Sequence, residues 1–305
     1  MMPDDHDRMA TLRPVSRGTA RAGRWIGRLP PTTYFLTSAV FHYLGPSLAV
    51  LLFAHVGPLG VAWLRIASAG LLLGLWRRPW RLVVRLDRRQ RLLLLALGAV
   101  LAVMNALFYL AVDRLPLATV GAVEFLGTIL LAALGVRTRR NLLALVAAVA
   151  GVATLTDVRI SGDALGFAFA FGNCALFLLY VVLAHRIATA DPAGGTGGID
   201  RLAAAMVIAA VVATPYGLGQ AAAAFGHPLW LAWGVGVGIC SSVIPYLADQ
   251  LALARLPRAT FALLLALLPA TATVLGLVVL HQVPTAAELV GIALVVVGIL
   301  LHQDR

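Results

Sequence analysis

GPLGVAWLRIASAGLLLGLW, residues Gly57 to Trp76, is the stretch that decides the fold. About twenty mostly apolar residues are enough to cross a bilayer as a helix. One arginine, Arg65, interrupts the run near its middle. A second stretch, LATVGAVEFLGTILLAALGV at 117–136, repeats the arrangement with Glu124 in the same place. A bare charge at mid-bilayer costs about 3 kcal/mol on insertion scales, so such residues face a polar cavity or a partner charge. Opposite charges at mid-depth on separate spans point to a protein that moves something across the membrane.

The surrounding chain agrees with this reading. Its 305 residues are 61% hydrophobic and 12% charged, and their mean hydropathy is +0.91. Soluble domains carry about 25% charged residues. Ten apolar runs qualify as spans: 33–54, 57–76, 92–112, 117–136, 142–156, 164–184, 202–220, 229–253, 259–280 and 288–301. Glycine and proline within them do not exclude helix, because membrane spans tolerate both.

The formal net charge is +11, and all 24 basic residues are arginine. If the spans alternate, 21 arginines fall on one side and only Arg114 and Arg159 on the other; Arg65 lies within a span. By the positive-inside rule both termini are cytoplasmic, in the cell membrane. A basic excess can also serve nucleic acid. Here the charges sit in short segments between apolar runs, so no nucleic-acid partner is expected. The Arg-rich segment 1–32 lacks the apolar core of a secretory signal and reads as a cytoplasmic tail, as does 302–305.

Catalytic signatures are missing: there is no HExxH, no GxSxG and no Walker loop. Cys174 and Cys240 lie inside apolar runs without metal spacing. The chain is therefore read as a non-enzyme without metal or cofactor, driven by an ion or substrate gradient.

The pattern R-L-P-x-A-T occurs at Arg114–Thr119 and again at Arg255–Thr260, an offset of 141 residues. Five spans separate the copies, so they lie on opposite sides and the repeat is inverted. Inverted repeats are common in secondary transporters, with the site near the midplane where the halves meet. The expected architecture is an all-α integral membrane protein of ten transmembrane helices, built as two inverted five-helix repeats. Their bounds are 33–156 and 157–301, with a glycine-rich flexible loop at 191–198.

The spanning region resembles the EamA branch of the drug/metabolite transporter superfamily, and within it the threonine/homoserine exporter group. The residues that carry the resemblance are Trp63-Leu64-Arg65, Met104 through Leu110, and Leu115-Pro116 through Glu124-Phe125 in the first half. In the second they are Ile244-Pro245-Tyr246, Ala254 through Pro257, and Leu289-Val290-Gly291. The resemblance implies two five-helix bundles, alternating access and export of small amino acids or related metabolites. The chain departs from the group at Leu268, where a Glu-Pro pair is expected, at Thr128, where a proline is, and at Gln282, where an acid is.

His42, Arg65, Glu124 and Asn173 fall within a few residues of mid-span on four different helices, counted at 1.5 Å per residue. They form the candidate site. A carboxyl such as Glu124 can exchange a proton as a cavity changes sides. The alternative for Glu124 is a structural ion pair with Arg65. Arg65 offers a planar fork for a cargo carboxylate. His42 belongs to a residue type that titrates near physiological pH, although a lone histidine also serves as a packing residue. Asn105, Tyr109, Asn173, Tyr180 and Tyr246 supply neutral hydrogen-bonding groups, or in the case of the tyrosines interfacial anchors. Prolines 46, 245 and 269 within spans each free a backbone carbonyl. The function expected is secondary transport of a small-molecule substrate across the lipid bilayer, with proton coupling. The alternatives are another cargo (nucleobase, drug or sugar derivative) or an intramembrane enzyme acting on lipid precursors.

Overall fold

The computed structural model describes residues 31–135, 138–157, 163–189, 197–253 and 267–301. Among these residues every regular element is helical. In chain order they are α1 (Pro31–Leu52), α2 (Pro58–Arg77), the short α3 (Trp80–Arg85), α4 (Arg88–Val112), α5 (Leu117–Gly135), α6 (Arg139–Asp157), α7 (Ala164–Thr189) and α8 (Gly197–Phe225). Then follow α9 (Pro228–Gly238), a π-helical turn (Ile239–Val243), α10 (Ile244–Leu253), α11 (Leu267–Leu280) and α12 (Ala286–Leu301). Residues 1–30 of the expected tail, residues 191–196 of the expected 191–198 loop and the second R-L-P copy lie outside the described residues, whereas Pro31 and Thr32 already belong to α1 and Gly197 and Gly198 to α8.

Local chemistry sets the helix ends. Pro58 and Pro228 occupy the first turns of α2 and α9, where a missing N–H costs nothing. Asp87 accepts from the Gln90 backbone N–H while the Gln90 side chain accepts from the Asp87 N–H. This capping box starts α4 at Arg88, four residues before the apolar run that announced it. Thr285 and Glu288 form the same kind of box ahead of α12.

Five described helices are long and apolar enough to cross a membrane, in the ranges Pro58–Arg77, Arg88–Val112, Ala164–Ile187, Gly198–Phe225 and Pro228–Ala248. The last of these runs from α9 through the π turn into α10. Shorter apolar helices are Leu36–Leu52, Leu117–Gly127, Leu268–Leu280 and Ala286–Leu301. Large apolar side chains face outward along several of them, among them Leu71, Leu75, Leu142, Val211 and Val278. A soluble monomer rarely shows that much apolar surface; a lipid-facing one requires it.

Packing follows small residues. The α2–α8 contact is built on glycines: a Cβ at Gly60 would lie 2.7 Å from the Ala221 backbone N, and one at Gly70 3.0 Å from Met206 O. Gln220 of α8 also accepts from the Leu59 and Gly60 N–H groups at 3.1 and 3.2 Å, which satisfies free donors at the start of α2. The α6–α12 contact is as close, with Gly151 against the Gly291 carbonyl and Gly298 against that of Ala144. Further neighbours are α4 with α7 and α8, α2 with α9 and the π turn, and α5 with α6, α7 and α11. The α1 helix packs on α9, the π turn, α10 and α11.

Candidate functional site

Seven of the eight polar residues singled out from sequence line one cavity of about 240 Å³. His42 comes from α1, Arg65 from α2, Asn105 from α4, Glu124 from α5, Asn173 and Tyr180 from α7 and Tyr246 from α10. Tyr109 is not on the wall. It is fully buried beside it, with its ring centroid 5.6 Å from the Arg65 guanidinium carbon. That contact adds a cation–π attraction and places Tyr109 in the core rather than at an interface. The remaining wall is largely apolar: Pro46, Met104, Phe108, Phe125, Phe177 and Leu268, with Ser38.

Arg65 is held from the π turn. Its Nε donates to Ser242 Oγ at 3.1 Å and its Nη2 to the Ser241 carbonyl at 3.2 Å. The second acceptor has a cause in the sequence. Pro245 lacks the N–H that would bond to the carbonyl four residues back, which is that of Ser241. The turn itself breaks the regular ladder, as π turns inside helices do. Gly238 lets it approach α2, since a Cβ there would lie 2.7 Å from the Arg65 carbonyl. Gly45 does the same on α1, where a Cβ would meet Ser241.

Among the described residues Arg65 and Glu124 form no direct ion pair. The structural pairing raised as the alternative role for both is therefore not what this conformation contains. Glu124 is instead approached by Asn173, whose Nδ2 donates to Oε1 at 3.4 Å. The Asn173 Oδ1 is buried without a partner among the described residues. Asn105 turns its amide back to the Leu101 carbonyl at 2.8 Å. His42 packs edge-on against Tyr43, ring centroids 5.2 Å apart.

Sequence reasoning missed Ser241 and Ser242. The available signal was Pro245, because a proline within a span marks the carbonyl four residues earlier as free. Leu268, the departure in the ninth run, lies on the cavity wall. Gln282, the other departure with a described side chain, lies elsewhere. It belongs to a larger cavity of about 390 Å³ at the far ends of α4 and α11, where its Oε1 accepts from the Leu117 N–H at 3.2 Å. An acid there would accept the same bond, so glutamine keeps this cap of α5. Arg114, beside that cavity, pairs with Asp163 at 3.4 Å.

No family model matches the chain. The threonine/homoserine exporter RhtA of Salmonella typhimurium (strain LT2) is 34% identical over 255 residues, which covers 83% of this chain and 84% of that protein. RhtA of Escherichia coli (strain K12) is 35% identical with the same coverage. A protein known from a crystal structure superposes with a TM-score of 0.55 at 19% identity, over 88% of this chain and 96% of its own. At that identity the likeness bears on the fold alone.

Proposed function

The chain belongs to the EamA family of drug/metabolite transporters, and on that footing we propose that it exports a small amino acid, threonine- or homoserine-like, by alternating access. It is a membrane transporter, not an enzyme. The observation that carries the proposal is a small cavity with a guanidinium and a carboxyl on its wall, the two not neutralising each other directly. Drug-sized ligands occupy pockets of about 300 Å³ or more; a cavity of about 240 Å³ favours a smaller cargo.

In the proposed cycle Arg65 engages the cargo carboxylate with the N–H groups that Ser241 and Ser242 leave open. Glu124 takes up a proton in exchange as the cavity changes sides. His42, Asn105 and Tyr246 complete the polar lining, and Tyr109 supports Arg65 from behind.

The architecture proposed is ten spans in two inverted repeats. The first five are α1, α2, α4, α5 and α6; the second five are α7, α8, α9 continued by α10, α11 and α12. Most of the helix pairings among the described residues support it, because they have a counterpart when each span is exchanged with the one five places on; fourth with tenth does not. Second with seventh, fourth with ninth and fifth with tenth are pairs that map onto themselves. Third with sixth maps onto eighth with first, and third with seventh onto eighth with second. The arginine distribution supports cytoplasmic termini.

Proteoliposomes loaded with labelled threonine or homoserine test the reading. The expected result is saturable efflux that an imposed pH gradient accelerates. Absence of flux from folded protein, for both compounds, would discard the amino-acid assignment and direct the search to another cargo.

A further inference from the structure

Asn173 has more hydrogen-bonding capacity than its surroundings use. It is 1% exposed, it lines the cavity, and its Oδ1 lacks a partner among the described residues. The carboxylate of Glu124 fixes which way the amide faces. With Nδ2 toward Oε1 the contact is donor to acceptor; turned over, it would set oxygen against oxygen. The Glu124–Asn173 pair therefore presents acceptors: the Glu124 oxygens and the Asn173 Oδ1.

A buried acceptor left unmade is destabilising, so an orphan on a cavity wall marks a place for a donor that the protein does not itself supply. The complementary group brings several N–H donors and a positive charge. An ammonium has both, with three donors on one small head. Arg65, elsewhere on the same cavity, offers the opposite set. Of its five N–H groups two are engaged by Ser242 and Ser241, and the rest suit a carboxylate. The wall also carries the apolar side chains of Met104, Phe108 and Phe125.

We propose that Asn173 Oδ1 and the Glu124 carboxylate form the subsite for the α-ammonium group of a zwitterionic cargo. This rests on the reading of Arg65 as the carboxylate site. It goes beyond that reading by making Asn173 the residue that separates an α-amino acid from its 2-hydroxy-acid counterpart. A hydroxyl in place of the ammonium brings one donor and no charge, and leaves part of the acceptor set unpaired.

The experiment is competition against labelled-threonine flux in proteoliposomes, with unlabelled threonine and with the 2-hydroxy acid of the same carbon skeleton. The parent protein should prefer threonine by about 10- to 100-fold, the range expected when buried acceptors lose a partner. Asn173→Leu should raise the threonine KM about tenfold and close most of that gap, while Asn173→Asp, which keeps acceptor oxygens, should retain it. Threonine flux with the gap unchanged in Asn173→Leu overturns the subsite and leaves the amino-acid reading standing. If Asn173→Leu does not fold, Asn173→Asp decides alone, and loss of the gap there overturns the subsite. A folded parent that neither moves threonine nor is inhibited by either competitor removes both proposals.

Discussion

Ser242→Ala isolates the way Arg65 is aimed. The substitution deletes the hydroxyl that accepts from Arg65 Nε at 3.1 Å and leaves the Ser241 carbonyl, at 3.2 Å from Nη2, in place. A hydrogen bond to a charged group contributes about 1.5–3 kcal/mol. Arg65 is 8% exposed, so water does not readily replace the lost acceptor. The second acceptor and the Tyr109 ring still restrain the guanidinium, which places the effect at the lower end, about 1.5 kcal/mol or tenfold in affinity. Proteoliposome flux should show KM for threonine raised about tenfold with the maximal rate nearly kept, the pattern of a lost binding interaction. Competition by the amino alcohol that lacks the carboxylate should not change. Pro245→Ala should act in the same direction and more weakly, since the restored N–H shares the Ser241 carbonyl with Arg65. An unchanged KM in Ser242→Ala, or an equal loss for the carboxylate-free competitor, would refute the idea that the π turn aims Arg65 at the cargo.

Glu124→Gln should abolish the response of flux to an imposed pH gradient, read by comparing efflux with and without the gradient; an unaltered response would remove Glu124 from the proton path. Gly151→Ala should lower the melting transition in detergent, because the new Cβ would lie 2.5 Å from the Gly291 carbonyl and 2.9 Å from Val295 Cγ2. Overpacking of this kind costs about 1–3 kcal/mol, and an unshifted transition would show that the α6–α12 contact gives way freely. Leu268→Glu adds a second acid to the cavity wall and should raise competition by lysine relative to threonine; equal competition would mean that this wall position does not read cargo charge.

Long apolar runs and arginine placement made the membrane class readable without coordinates, because the bilayer imposes span length and charge asymmetry on sequence directly. His42, Arg65, Glu124 and Asn173 could be grouped by counting along helices, since depth in a straight helix is linear in residue number. Rotation about the helix axis and the choice of partner are not linear in anything local. Nothing near Arg65 in sequence says that it turns to Ser242 on another helix rather than to Glu124. The π turn left no periodic trace either, being five residues inside a longer apolar run. The start of α4 was readable but unread: Asp87 followed three residues later by Gln90 is a capping pattern, and hydropathy alone set the boundary too late.

The glycine seam between α6 and α12 has a mechanical consequence. Backbone meets backbone there, with Gly151 and Gly291 each facing the other's carbonyl, so no layer of side chains can shear between the two helices. The two helices are the last spans of the two proposed repeats, and Arg140 ties the end of the seam by donating to the Leu301 carbonyl at 2.9 Å. In the proposed alternating-access cycle such a seam would serve as a hinge pin, because backbone held against backbone resists sliding more than turning. A rigid label on the exposed face of α12, at Val297, would then report that turning as a change of tilt.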